Sequence, residues 1–215
     1  MNVFLSKPSK RKKRSEKVLA QHGVRINPHL PVIEDDFPMR SVEEVAKRAL
    51  CVCLTAVKGE GLEQETVLDL VEKYNLADSF TPGEKAFIYE ENPSKHDRIQ
   101  FTWKYECYWV LLWSLGYVDT LAYPDTICDV PFAVQQMADR TTESFIQQAV
   151  LRTKEELLDE GDLIFRLHWA VRQAHLDGTA ASGNLDGGVV MERHYALNWL
   201  IRFMDQEWDD VETHT

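Results

Sequence analysis

The residues of this chain that could do chemistry are ionisable side chains placed where the sequence predicts an apolar helix face. A helix turns by about 100° per residue, so a projection of each predicted helix shows which charges share a side with apolar residues. A bare charge in such a place is costly, and it needs an ion pair or hydrogen bonds. The candidates for a buried polar site are Glu106, His168, Arg172, Glu192 and Arg193, with His175, His194 and Asn198 as secondary candidates.

Glu106 falls among the apolar residues of a predicted central helix, close to Trp109 and Trp113. A carboxyl group in such surroundings is a candidate general acid or base. The alternative, which we favour, is a structural carboxylate paired with a buried arginine. Arg193 projects into the apolar face of the last predicted helix and lacks a compensating charge. We therefore predict that Glu106 and Arg193 pair across the core.

Three basic residues, His168, Arg172 and His175, recur at i, i+4 and i+7 of one long predicted helix. One interpretation is a cationic stripe that faces a cleft and holds an anionic ligand. The other is a polar seam against an acidic neighbour. On the same helix, Asp162 and Arg166 form an i,i+4 pair, which we assign to a solvated face.

The last predicted helix carries further polar residues, and the chain ends in an acidic tail. Glu192 lies at the edge of the apolar face, whereas His194 and Asn198 lie on the other side, which we expect to be solvated or shared with the tail. Oxygen-rich tails can hold Mg²⁺ or Ca²⁺, but the spacing in the tail from 208 to 215 matches no ligand loop, and a solvated tail is favoured. We predict no metal site and no cofactor.

The cysteines do not suggest a metal centre or a disulfide scaffold. There are four, Cys51, Cys53, Cys107 and Cys128, and no Cys-x-x-Cys occurs. The spacing is not that of a zinc site. Buried free thiols in a reducing compartment are the favoured interpretation.

Composition and charge limit the partners. The chain has 215 residues and a net charge of -11, and an acidic body repels nucleic-acid phosphates. The basic run from Lys7 to Lys17 is either a nuclear-localisation or nucleic-acid patch or, as we favour, part of a disordered start covering residues 1–14. No secretory signal and no membrane-spanning stretch is recognisable, so we expect a cytoplasmic protein with no membrane partner.

Helix punctuation predicts an all-α, single-domain bundle of about eight helices, spanning residues 15–207, with an extended, proline-containing strap near its N-terminus. Capping boxes are predicted at Ser41–Glu44, Thr81–Glu84 and Thr153–Glu156. The strap is expected at Arg25 to Arg40. The expected helices are Ser15 to His22, a helix after Ser41 that ends at Gly59 and Gly61, Glu63 to Lys73, a helix from Pro82 to Glu91, Lys95 to Leu115, Val130 to Arg140, Glu143 to Leu151, a helix from the Thr153 box to Leu176, and Val189 to Gln206.

Several stretches together resemble the bacterial domain-of-unknown-function family 4272. They span roughly Arg14 to Thr213, and no single stretch is diagnostic. The matching segments are Arg14-Ser15-Glu16, His22-Gly23-Val24 with Ile26-Asn27 and His29-Leu30-Pro31, Asp97-Arg98-Ile99-Gln100-Phe101, Trp109-Val110-Leu111-Leu112-Trp113, Ile127-Cys128-Asp129-Val130-Pro131, Leu167-His168-Trp169-Ala170, Glu192 through Trp199, and Trp208-Asp209-Asp210-Val211. The resemblance implies a bacterial, intracellular, single-domain protein and no particular activity.

Two functional hypotheses follow, and a third is weaker. The first is a non-catalytic binding, interaction or regulatory module whose partner is an unknown protein or a small anionic ligand. The second is an enzyme or small anionic-ligand binder that uses Glu106, His168, Arg172 and Arg193 around an internal polar site between the three long helices. The third is weak nucleic-acid binding through the basic N-terminus.

Overall fold

The computed structural model describes residues 5–34 and 37–215. Within this part of the chain there are nine α-helices, three 3-10 turns and no strand. The helices are α1 (Lys7–Gln21), α2 (Val42–Glu60), α3 (Gln64–Lys73), α4 (Pro82–Tyr89), α5 (Lys95–Ser114), α6 (Val130–Ala138), α7 (Thr142–Gln148), α8 (Lys154–Leu176) and α9 (Gly187–Leu200). The predicted all-α, single-domain class is confirmed, with nine helices in place of about eight.

Helix α5 is the central helix, as its nearly all-round apolar sequence predicted. It packs most extensively against α2 and also against α9, while α8 covers another side of α9 and α1 lies on α8. This succession of contacts places α9 between α5 and α8. Side chains of α9 can therefore reach two long helices.

No helix among the described residues has the length and apolarity that a bilayer crossing requires.

A glycine sets the distance between α2 and α5. A Cβ atom at Gly59 would lie 2.8 Å from the carbonyl oxygen of Arg98 and equally close to the backbone nitrogen of Thr102. The backbones of the two helices thus meet where a side chain is missing. Gly59 is inside α2, and the helix ends at Gly61, which has a left-handed φ of 110°.

The N-terminal helix corrects the prediction of a disordered basic extension. Helix α1 begins at Lys7 and not at Ser15, so residues 7–14 are helical. Residues 1–4, which the same prediction covered, lie outside the described residues. The side chain of Ser6 caps the helix by accepting a hydrogen bond from the backbone N–H of Ser9.

Arg11 explains why the basic run is ordered. Its side chain is buried, and it donates hydrogen bonds to Asp159 and Glu155 of α8 and to the carbonyl oxygen of Ile33. Charge-assisted bonds to two carboxylates offset the cost of removing the guanidinium from water. Glu155 and Asp159 of α8 therefore hold in place the basic segment that was predicted to be disordered.

The strap from 25 to 40 is free of regular secondary structure in its described residues, 25–34 and 37–40, as predicted. Full capping boxes are present at Thr81–Glu84 and Thr153–Glu156, again as predicted. The prediction at Ser41 is only half right. Ser41 accepts the backbone N–H of Glu44, but the carboxylate of Glu44 pairs with Arg40. An unpredicted reciprocal box caps α7.

The end of α9 and the tail differ from prediction. The helix ends at Leu200 and not at Gln206, because Arg202, Met204 and Asp205 adopt left-handed backbone conformations with φ of 49°, 57° and 52°. The tail is not wholly solvated. Its residue Trp208 is buried and packs edge-on against two aromatic rings of α9, those of Tyr195 and Trp199.

Candidate functional site

Glu106 and Arg193 form the ion pair that the sequence predicted. The Nε atom of Arg193 donates to Oε2 of Glu106 over 3.0 Å, and the two residues are 3% and 2% exposed. The other carboxylate oxygen of Glu106 accepts the backbone N–H of Cys128 at 2.5 Å. Nη1 of Arg193 donates to the carbonyl oxygen of Ala122 at 2.7 Å. The pair thus joins α5, α9 and the connection between α5 and α6.

Glu192 is buried and turned toward α5. Its Oε2 atom accepts a hydrogen bond from Nζ of Lys104 at 2.8 Å and another from Sγ of Cys107 at 3.1 Å. The same lysine lies 4.0 Å above the ring of Tyr195, a favourable cation–π geometry. Glu192 is therefore compensated by a cation from another helix.

The side of α9 that carries His194 and Asn198 is not solvated, and the expected alternative, contact with the tail, holds for Asn198. Both residues are buried, because His194 meets His168 of α8 and Asn198 meets the tail at Glu212. Nδ1 of His194 lies 2.8 Å from Nδ1 of His168 on α8, so one ring donates and the other accepts. The side chain of Asn198 donates to the carbonyl oxygen of Glu212 and also hydrogen bonds with His194.

Burial keeps this histidine pair neutral. It lowers the pKa of His168 to about 4, with an added contribution from the positive charge of Arg172. Burial and the neighbouring His168 lower the pKa of His194 to about 3, and the hydrogen bond with Asn198 opposes part of that change. Neither imidazole is a useful cation at neutral pH, so the pair cannot hold an anion by charge.

The candidate residues are brought to separate places and not to one shared cavity. Of three consecutive residues on α9, Glu192 and Arg193 reach different residues of α5, whereas His194 reaches α8. On α8, Arg172 and His175 are exposed while His168 is buried, so the predicted basic stripe divides between surface and core. Most of the candidates thus hold helices together, and the structure does not assemble all of them around one ligand.

Asp162 and Arg166 are a buried pair, and not the solvated pair that the sequence suggested. They are 0% and 1% exposed, and the guanidinium donates to both carboxylate oxygens at 2.8 Å. Nη2 of Arg166 also donates to the carbonyl oxygen of Pro31 in the strap. The i,i+4 spacing is the same for buried and exposed pairs, so only the covering strap distinguishes them.

A cleft of about 550 Å³ lies between the strap, α8, the end of α9 and the C-terminal segment. Its walls are mainly apolar, and the polar lining residues are Glu34, His194, Asn198, Arg202, His214 and Thr215, of which His194 and Asn198 are buried. The volume is in the range of small-molecule sites. The apolar lining residues are Leu30, Pro31, Val32, Ile33, Phe37, Phe165, Ile201, Phe203 and Met204.

The rim of this cleft carries the unusual backbone beyond α9. Arg202 and Met204 line the cleft, and both have the left-handed φ values that residues with side chains rarely adopt. The Nε–H group of Arg202 is buried and has no hydrogen-bond partner among the described residues. No sequence signal predicts this turn, which contains no glycine.

Metal ligands and reactive thiols are not assembled in the described residues. In 5–34 and 37–215, no group of three or more histidine, cysteine or acidic side chains is arranged to hold a metal ion. The prediction of buried free thiols is confirmed for all four cysteines. Burial raises the pKa of Cys53 to about 12, which leaves this thiol protonated and unreactive at neutral pH.

The helix order and the shared core define an all-α, single-domain protein whose buried polar side chains link α5, α8 and α9. A family model described as a domain of unknown function, DUF4272, matches residues 11–211, and the chain belongs to this family. The matched range includes most of α1 and the start of the C-terminal segment. No curated protein and no solved structure gives a significant match.

Proposed function

We propose that this protein is a non-catalytic binding module whose ligand is a small molecule held in the cleft beside the strap. The observation that carries the proposal is the strained, glycine-free turn at Arg202–Asp205 on the rim of an apolar cleft. Left-handed backbone at residues with side chains costs of order 1–3 kcal/mol each and concentrates at ligand clamps and active sites. A turn needed only to reverse the chain would be cheaper with glycine.

The cleft's chemistry indicates the ligand class. Its apolar walls favour an apolar body. Arg202 pairs with Asp205 through Nη1 and lies near Glu44 through Nη2, but its Nε–H has no partner among the described residues and favours a hydrogen-bond acceptor at one end of the ligand. A carboxylate is the strongest such acceptor for a guanidinium. We therefore expect an amphipathic organic acid, which agrees with the small anionic ligand expected from the sequence.

Two features support binding over catalysis. His194, in the wall of the cleft, has a pKa lowered to about 3 by burial and by His168, so it is a weak base at neutral pH. An enzyme built on Glu106, His168, Arg172 and Arg193 gains no support, because Arg172 is exposed and Glu106 and Arg193 neutralise each other.

The test is a titration with octanoate followed by thermal unfolding. A ligand specific for the folded state at one hundred times its Kd stabilises by about 2.7 kcal/mol, or roughly 5–10 °C for a domain of this size. The variant Phe165→Trp, which fills the cleft, should weaken binding at least tenfold. The matched variant Phe132→Trp, at an exposed position on α6, should leave binding unchanged. Octanoate that fails to shift the transition, or that shifts it equally in both variants, would contradict the proposal.

A further inference from the structure

A second, smaller cavity of about 190 Å³ lies beside Arg193, between α1, the connection after α5, α8 and α9. Most of its wall is aliphatic. The aliphatic lining residues are Val18, Leu121, Ala122, Pro124, Leu163, Ile164, Leu167 and Leu197. The remaining lining residues are Arg193, Glu160, His22 and Tyr123, and the last two stack ring on ring.

Arg193 brings an unused donor to this cavity. Its Nε atom is taken by Glu106 and its Nη1 atom by the carbonyl oxygen of Ala122. Its Nη2 atom has no hydrogen-bond partner among the described residues, although the residue is 3% exposed. A guanidinium that is fixed through two of its three nitrogens is pre-organised to bind an acceptor through the third.

Glu160 brings an uncompensated carboxyl group to the same cavity. It forms no ion pair with any residue that the structure describes, so no nitrogen of Arg193 lies within 4.0 Å of its oxygens. Burial raises its pKa to about 7, and the neighbouring Asp159 adds to the increase, while Arg193 and Arg152 oppose it. Glu160 and Arg193 thus interact across the cavity without contact.

We propose that this cavity binds a small aliphatic α-amino acid, with the ligand's carboxylate on Arg193 and its ammonium group on Glu160. A carboxylate ligand alone would leave Glu160 unpaired, and an amine alone would leave the arginine donor unpaired. A zwitterion satisfies both groups and adds no net charge beside Arg193, which is buried, and Glu160, which is partly buried; an unpaired charge is expensive in such a place.

The size and lining of the cavity agree with this ligand class. A volume of 190 Å³ corresponds to about six water molecules at ~30 Å³ each, so the cavity admits only a small ligand. The aliphatic wall suits a branched side chain and offers it no polar partner. The site differs from the cleft of the proposed function, so the two proposals can fail independently.

The experiment is isothermal titration of the full chain with L-valine at pH 8, where Glu160 is ionised. The comparison ligands are 3-methylbutanoate, which lacks the amine, and 2-methylpropan-1-amine, which lacks the carboxylate. We expect saturable binding of valine and at least tenfold weaker binding of both comparison ligands. Binding of valine should also weaken as the pH falls below about 7, because protonation of Glu160 removes the partner of the ammonium group. The titratable and charged groups around Glu160 are Arg193, His22, Asp159 and Arg152.

Variants separate the site from the rest of the molecule. Glu160→Gln should weaken valine binding at least tenfold, and an unchanged circular dichroism spectrum would show that it folds. Glu72→Gln on the exposed face of α3 is the matched control, and it should bind like the parent. Phe165→Trp, which fills the cleft, should also bind valine normally. The proposal is overturned if valine does not bind, if 3-methylbutanoate binds equally well, or if Glu160→Gln has no effect.

Discussion

Asp162 and Arg166 show how strongly burial changes the effect that breaking an ion pair has on stability. Their spacing is that of an ordinary surface pair, but both side chains are almost completely buried and the strap covers them. Removing one partner from a buried pair leaves the other charge without compensation. The same change in an exposed pair has little effect because water solvates the remaining charge.

We predict that Asp162→Asn lowers the free energy of unfolding by about 3–5 kcal/mol, measured by urea denaturation. The matched control is Glu43→Gln, which removes the acid of an exposed i,i+4 pair with Lys47 on α2. That variant should unfold at nearly the same urea concentration as the parent. Equal decreases in the free energy of unfolding for the two variants would show that the buried pair contributes no more to stability than the exposed one.

The residue scale also shows what helix projection can and cannot predict. The pairing of Glu106 with Arg193 was predictable, because each lies on an apolar face and lacks a charge within its own helix. The burial of Asp162, His194 and Asn198 was not. Their faces look polar in projection, and only packing against the strap, α8 and the C-terminal segment removes them from water.

At the scale of elements, most helix starts were predictable, but the start of α1 and the end of α9 were not. Side chains that cap helices are local in sequence, and Thr81 and Thr153 act as expected. The early start of α1 depends on Arg11 meeting carboxylates of α8 that lie more than a hundred residues away in the chain. The early end of α9 depends on left-handed residues that carry no sequence signal.

We predict opposite effects of alanine at two glycines inside helices. Gly59→Ala should destabilise the protein by up to about 2 kcal/mol, since overpacking against the backbone of α5 costs typically 1–3 kcal/mol and a gain in helix propensity of about 1 kcal/mol offsets part of it. Gly161→Ala on α8 should be neutral or stabilising, because its Cβ would meet only the movable end of Ile201. Thermal unfolding measures both, and stabilisation by Gly59→Ala would refute the close approach of α2 and α5.

At the scale of the whole molecule, the buried histidine pair links stability to pH. The folded pKa values of His168 and His194 are lowered to about 4 and about 3, whereas an unfolded histidine titrates near 6.5. Between these values the unfolded chain binds more protons, so the free energy of unfolding rises with pH. The stability that the pair contributes is complete above about pH 6.5 and is lost as the pH falls toward 4.

We predict that His168→Leu flattens the dependence of the unfolding midpoint on pH between 4 and 6.5, as measured by urea denaturation at several pH values. The exposed histidine variant His175→Gln is the control, and its profile should parallel that of the parent. The same slope in His168→Leu and in the parent would mean that the pair does not control the acid sensitivity of the fold.

The three consecutive polar residues of α9 have a consequence for how this chain tolerates length changes. Glu192, Arg193 and His194 each meet a partner on a different side of the helix. One residue inserted within α9 before Glu192 would rotate all three side chains by about 100° about the helix axis. All three interactions, with Lys104, Glu106 and His168, would then be lost at once. Substitutions can be absorbed one position at a time, but insertions and deletions cannot. The length of α9 before Glu192 should therefore be far more constrained than the identity of its exposed residue Met191.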